Sequence, residues 1–139
     1  MAIGISPALP LMVDQVDGPY RLTKSIKQAI VQNFKNLILT NPGERMMDPD
    51  FGVGIREYLF ELENIGIQEE ITEKINQQVN RYLVNSVRII DIRFTMGSNY
   101  REDAVSVANS NAMYLHILFA ILPTNSRSVL SLPISSGAN

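Results

Sequence analysis

The chain contains no cysteine and only one histidine, His116, among its 139 residues. The absence of cysteine excludes disulfide bridges and thiolate metal sites. The formal net charge is only −2 and no two basic residues are adjacent. Nucleic-acid-binding domains need clustered Lys and Arg, so we expect no nucleic-acid partner. One histidine without a spaced set of carboxylates likewise predicts no metal site.

Long hydrophobic runs are also missing. The longest covers residues 113–122 and has His116 inside it. That is about half of the ~20 apolar residues that a membrane-spanning helix needs. The first residues lack the positive charges that begin a secretory signal. The sequence therefore predicts a soluble protein with no membrane partner.

Hydrophobic periodicity is helical in the first part of the chain and strand-like in the second. Helices are predicted over residues 23–39, 54–62 and 67–84. Strands are predicted over residues 88–96, 113–122 and 128–132, with a further short strand considered over 105–108. Helices followed by strands are typical of an α+β domain. We predict an N-terminal arm and three helices packed on one face of a small, mainly antiparallel sheet.

The ends of the chain differ from its middle. Residues 1–20 contain three prolines, which favour extended structure, but they are too apolar for an ordinary disordered tail. We expect an extended arm that packs on its own domain or on a neighbour. Residues 21–134 are predicted to form a single α+β domain, and residues 135–139 a loose tail.

Catalytic patterns are weak. There is no glycine-rich phosphate loop, so no cofactor is predicted. Because His116 lies in an apolar strand without a nearby nucleophile or carboxylate in the sequence, it reads as a packed or edge-facing residue. Six carboxylates occur close together in sequence: Glu44, Asp48, Asp50, Glu57, Glu61 and Glu63. They indicate either salt bridges on a solvated face or, less readily, the acid pair of a glycoside hydrolase.

The most informative segment joins the first two predicted helices. It turns at Asn41-Pro42-Gly43 and continues with the adjacent Glu44 and Arg45. These two charges permit two interpretations: an exposed ion pair worth roughly 0 to 1 kcal/mol, or an arginine that grips a buried carboxylate and holds an interface. We expect Met46, Met47 and Phe51 to cover the charges with apolar surface.

Residues 40–52, TNPGERMMDPDFG, resemble the signature of the small baseplate wedge proteins of contractile phage tails. That family includes the related subunit of type VI secretion baseplates, is known as the sheath initiator, and is sometimes labelled lysozyme-like. The resemblance extends over roughly residues 14–133. Many members carry Glu-Pro-Arg where this chain has Ser86-Val87-Arg88. Arg88 is therefore expected to meet another acceptor, such as Glu44 or a carboxylate of a partner.

The resemblance implies a structural role without enzymatic activity. Such proteins join other wedge proteins near the tail tube and serve as the platform on which the sheath protein polymerises by strand exchange. It also implies six copies per baseplate and a location in the virion tail after assembly in the host cytoplasm. The assembly candidates are Glu44, Arg45, Phe51, Gly52 and Arg88. The alternatives are a virion-associated peptidoglycan hydrolase and an unrelated α+β adaptor domain.

Overall fold

The structure, a computed structural model, describes residues 4–13, 20–58, 65–96 and 113–134. Its elements, in chain order, are β1 (Ser6–Pro7), β2 (Leu22–Thr23), α1 (Ile26–Leu39), a 3-10 helix (Ile55–Tyr58), α2 (Ile65–Tyr82), β3 (Val87–Met96), β4 (Met113–Ile121) and β5 (Ser126–Ile134). Both sheets are antiparallel: β1 pairs with β2, and the larger sheet has the order β3-β4-β5. The predicted α+β class is confirmed.

Two details of the predicted architecture are not confirmed. The middle helix expected over 54–62 is a single 3-10 turn at Ile55–Tyr58, and residues 59–62 lie outside the described residues. The described strands form two sheets and not one. The short strand considered over 105–108 and the tail 135–139 also lie outside the described residues.

The arm lies against its own domain. Ser6 pairs with Thr23, and the side-chain amide of Gln32 on α1 bonds the backbone of Pro7 and Leu9 at 2.9 and 3.0 Å. Even so, several apolar side chains of the arm stay exposed, and Val13 reaches 82%. The described part of the arm is therefore anchored by polar contacts, while much of its apolar surface faces outward.

Helices α1 and α2 cover one face of the larger sheet. The buried stripe of α1 consists of Ala29, Ile30, Phe34, Leu37 and Ile38, and that of α2 of Ile71, Ile75 and Val79. Both stripes follow the spacing of three and four that puts residues on one helical face. Ile26, the first residue of α1, is 58% exposed. The Ser25 side chain at the start of this helix forms no capping bond.

Strand β4 is the centre of the larger sheet. Its alternate residues Met113, Leu115, Ile117, Phe119 and Ile121 are buried beneath the helices. The intervening residues are half-buried on the open face of the sheet. Strand β5 covers Ser126–Ile134 and includes Pro133, so the strand predicted over 128–132 was too short at both ends. An outer strand tolerates proline because one side of its backbone needs no partner.

A β-bulge changes the faces of β3. The register passes from Ile89 opposite Phe119 to Asp91 opposite Leu118, which leaves Ile90 as an extra residue. Such an insertion reverses the inward and outward alternation on one side of it. Ile89 therefore packs against the core with Ile92 and Phe94, whereas Ile90 is 47% exposed. Strict alternation along the strand would have placed Ile90 on the core side and Ile89 opposite.

Candidate assembly surface

Residues 40–54, called here the connector, run from the end of α1 to the 3-10 helix. The backbone N–H of Val53 donates to Leu37 O at 3.0 Å, and that of Gly54 donates to Thr40 O at 2.9 Å. The last carbonyl groups of a helix have no partner within the helix. The returning connector supplies these partners, so it caps α1 and is fixed to it.

Gly52 makes that close return possible. Its φ is +117°, and a Cβ added there would lie 2.2 Å from the carbonyl oxygen of Thr40. Its N–H donates to Oε1 of Gln78 on α2 at 3.0 Å, and Nε2 of the same glutamine donates to Asp50 O at 3.0 Å. Gly52, predicted from the motif as an assembly residue, is buried and shapes the connector.

Two aspartates extend the contact with α2. The Tyr82 hydroxyl donates to Oδ1 of Asp48 at 2.9 Å, while Arg81 pairs with Asp50 at 3.4 Å on an exposed surface. Burial and then the hydrogen bond to Asp48 raise the pKa of Tyr82, so the phenol keeps the proton that it donates. The exposed ion pair adds little to stability. The connector is thus held by α1 on one side and by α2 on the other.

Among the described residues, Glu44 and Arg45 do not form an ion pair with each other. Oε2 of Glu44 accepts the N–H of Asn41 at 3.1 Å, so this carboxylate closes the turn. The Arg45 guanidinium stacks on the Phe51 ring, with Cζ 3.7 Å from the ring centroid. The expectation that the methionines cover the charges is wrong, because Met46 and Met47 are 96% and 98% exposed.

Arg88 is separate from the other four candidates. It lies on β3 opposite Ala120 and is exposed. Within the described residues it forms no ion pair with Glu44 or with any other carboxylate. The connector therefore unites Glu44, Arg45, Phe51 and Gly52, whereas Arg88 belongs to a second surface.

That second surface is a groove between α2 and β3, which sequence reasoning missed. A depression of about 510 Å³ has Ile92 and Phe94 on one side and the polar face of α2 on the other. A second depression of about 290 Å³ shares Asn76 and Asn80 with the first and extends to Arg88. The available signal was the amide-rich outer face of α2: Gln68, Asn76, Gln77 and Asn80.

The open face of the sheet holds His116 between two hydroxyl groups. Its Nε2 lies 2.8 Å from Thr95 Oγ1 and its Nδ1 lies 2.8 Å from Ser131 Oγ. Partial burial lowers the pKa of this histidine. The ring thus links β3, β4 and β5. In the part of the chain that is described, no group of three or more His, Cys, Asp or Glu could hold a metal ion, and no helix could cross a membrane.

Comparison with known families identifies the assembly context. The family model described as baseplate wedge protein gp25 matches residues 24–125, which include both helices, the connector, β3 and β4. The chain belongs to the baseplate wedge protein gp25 family. The resemblance carried by residues 40–52 is thereby confirmed. Membership of this family supports a structural role in a phage-type baseplate.

Solved structures share the gp25-type fold at low identity. A candidate tail lysozyme from Geobacter sulfurreducens aligns with a TM-score of 0.62 and 19% identity, covering 85% of this chain and 97% of its own. A chain of the anti-feeding prophage baseplate, solved with six-fold symmetry, aligns with a TM-score of 0.55 and 18% identity, covering 94% of this chain and 84% of its own. No curated protein sequence matches the chain.

Proposed function

We propose that this protein is a structural wedge component of a contractile-tail baseplate. In this proposal it joins other wedge proteins near the tail tube and forms the platform on which the sheath protein polymerises by strand exchange. Six copies surround the tail axis, after assembly in the host cytoplasm. Support comes from family membership and from the fold shared with a subunit of a six-fold baseplate.

The observation that carries the sheath-platform role is the groove along β3. Among the described residues β3 pairs only with β4, so none of these residues forms a strand on its outer edge. On the core side of that edge, Ile92 and Phe94 are only half-buried, while α2 extends above them. A strand added to β3 would pair its backbone and place apolar side chains over these two residues.

The chemistry of the groove suits an extended peptide. The side-chain amides of Asn76, Gln77 and Asn80 can donate to and accept from a peptide backbone. The bulge at Ile90 limits regular pairing to about the six residues from Asp91 to Met96, a usual strand length. Glu69 and Glu73 line the same depression as Phe94. They favour a sheath segment that carries Lys or Arg there.

We also propose that the protein is not a hydrolase. Three of the carboxylates considered from the sequence already have structural contacts: Glu44 closes the turn, Asp48 accepts from Tyr82, and Asp50 pairs with Arg81. Glu61 and Glu63 lie outside the described residues. A glycosidase needs one protonated carboxyl facing a second carboxylate across the substrate. The similarity to the candidate tail lysozyme is a similarity of fold, so it does not support hydrolysis by this chain.

Replacing Asn76 by tryptophan tests the strand-exchange proposal. Asn76 is exposed on α2 and lines both depressions, so the indole ring would fill the groove without altering the core. We expect the variant to enter baseplates normally. Sheath growth on these baseplates should fall at least about tenfold, because filling the groove should weaken binding of the sheath strand by about 1.4 kcal/mol or more, which corresponds to a factor of ten. Sheath length on purified baseplates, measured by electron microscopy, provides the readout.

The matched control is Asn33→Trp, the same exchange at an exposed position of α1 outside the groove. It should leave both baseplate entry and sheath growth unchanged. Normal sheaths on Asn76→Trp baseplates would exclude this groove as the acceptor of a sheath strand. Cleavage of peptidoglycan by the wild type that disappears in Glu57→Gln, Glu61→Gln or Glu63→Gln would instead favour the hydrolase.

A further inference from the structure

The tip of the connector presents apolar side chains on a rigid support. Met46 and Met47 are 96% and 98% exposed. The turn beneath them is closed by the bond from Gly43 N to Pro49 O at 2.8 Å and by that from Phe51 N to Asp48 O at 3.2 Å. Two adjacent, almost fully exposed apolar residues on a hydrogen-bonded turn form a contact surface. They contribute no packing within this chain, and the turn that carries them is already ordered. Methionine suits such a surface because its side chain adapts to an irregular pocket.

Arg45 stands beside this tip in a fixed orientation. Its guanidinium face lies 3.7 Å from the centroid of the Phe51 ring, and Phe51 is itself 8% exposed and packed edge-on against Tyr82 at 4.9 Å. Among the described residues, Arg45 forms no hydrogen bond or ion pair. Stacking occupies the face of the planar guanidinium and leaves its N–H donors at the edge available. The edge is therefore ready for a forked bond to a carboxylate.

From these contacts we infer that Arg45, Met46 and Met47, called here the knuckle, insert into a partner wedge protein. The partner surface is an apolar pocket that receives the two methionines and carries an Asp or Glu on its rim to meet Arg45. The inference rests on the proposed function, since it requires a partner within the wedge.

The experiment measures binding of the purified full-length chain to the purified sub-complex of the other wedge proteins from the same particle. The variants are Met46→Glu/Met47→Glu, Arg45→Ala and Arg45→Lys. We expect Kd to rise at least about 30-fold for the double variant and for Arg45→Ala, as for interface hot spots. Arg45→Lys should also bind at least about tenfold more weakly, because lysine keeps the charge but loses the planar fork.

The control is Ile26→Glu, which adds one glutamate, where the double variant adds two, at an apolar residue that is 58% exposed at the start of α1. It should bind within twofold of the wild type, on the order of surface-substitution effects. The melting temperature of the methionine variant should equal that of the wild type, because the two side chains are almost fully exposed.

Binding of the methionine variant within about twofold of the wild type would overturn the inference. The inference would also be overturned if light scattering showed that the isolated chain is a dimer and that this variant is a monomer. The partner of the knuckle would then be a second copy of the chain. A wild-type chain that does not bind the sub-complex at all would contradict the proposed function itself. Wild-type binding with unaffected knuckle variants would contradict only the knuckle.

Discussion

Replacing Gly52 with alanine is expected to lower the free energy of unfolding by at least about 3 kcal/mol. At φ +117° a side chain is strained, and the new Cβ would lie 2.2 Å from the backbone oxygen of Thr40. Backbone atoms cannot move aside as a flexible side chain can. Relief would require the connector to leave the end of α1, which breaks the bonds from Val53 to Leu37 and from Gly54 to Thr40. Urea unfolding followed by circular dichroism measures the change.

Gly43→Ala is the matched control. This glycine also has a positive φ, +89°, but an added Cβ meets no atom within 4 Å. Its cost should be limited to backbone strain, about 1 kcal/mol. Equal losses at the two positions would show that strain alone matters and that the close approach to Thr40 does not. A stable Gly52→Ala protein would contradict the connector geometry directly.

The sequence predicted α1 and α2 because their packing repeats at a fixed period. The buried stripe of α1 from Ala29 to Ile38 was visible in the residue pattern, whereas β4 was predicted as a strand from a run that is apolar on nearly both faces. The predicted α2 began two residues late, a usual error at a helix end. The bulge at Ile90 could not be predicted, since one inserted residue leaves no mark on the composition of an apolar strand.

The connector was recognised as important, but its contacts were not predictable. Arg45 has its stacking partner six positions along the chain, and Glu44 serves the backbone of Asn41. Both contacts depend on how the turn closes, which is set by Gln78 and Tyr82 on a helix much later in sequence. Hydrophobicity suggested that Met46 and Met47 cover the charges, yet the turn directs both outward. Contacts with α2, which is distant in sequence, determine where these side chains lie, and such contacts have no local sequence signal.

The two proposed surfaces lie on different parts of the fold and are proposed to bind different partners. The knuckle projects from a turn fixed to the end of α1, while the groove follows the outer edge of β3 beneath α2. If the knuckle binds a wedge partner and the groove binds a sheath strand, variants at the two surfaces should fail at different stages of assembly. Both surfaces depend on the helices keeping their position on the sheet, and Phe34 lies at that junction.

Phe34→Ala should destabilise the protein by about 3–5 kcal/mol, the usual cost of removing a buried aromatic side chain. The Phe34 ring is completely buried on α1 and packs edge-on against Phe119 of β4, with the ring centroids 4.8 Å apart. Its removal would leave a cavity between the helical layer and the centre of the sheet. Thermal unfolding should detect a loss of this size as a melting temperature lower by about 10 °C or more.

Further variants separate the stability lost through the cavity from the stability lost with the contact between the two rings. Phe34→Leu keeps most of the buried apolar volume, so it should cost only about 1–2 kcal/mol. In a double-mutant cycle, Phe34→Leu and Phe119→Leu should show a coupling of about 0.5–1.5 kcal/mol, the part that belongs to the pair of rings. Phe34→Ala with near wild-type stability would mean that α1 does not pack on β4 through this residue. The connector capped onto the end of α1 would then lack the support that both assembly proposals require.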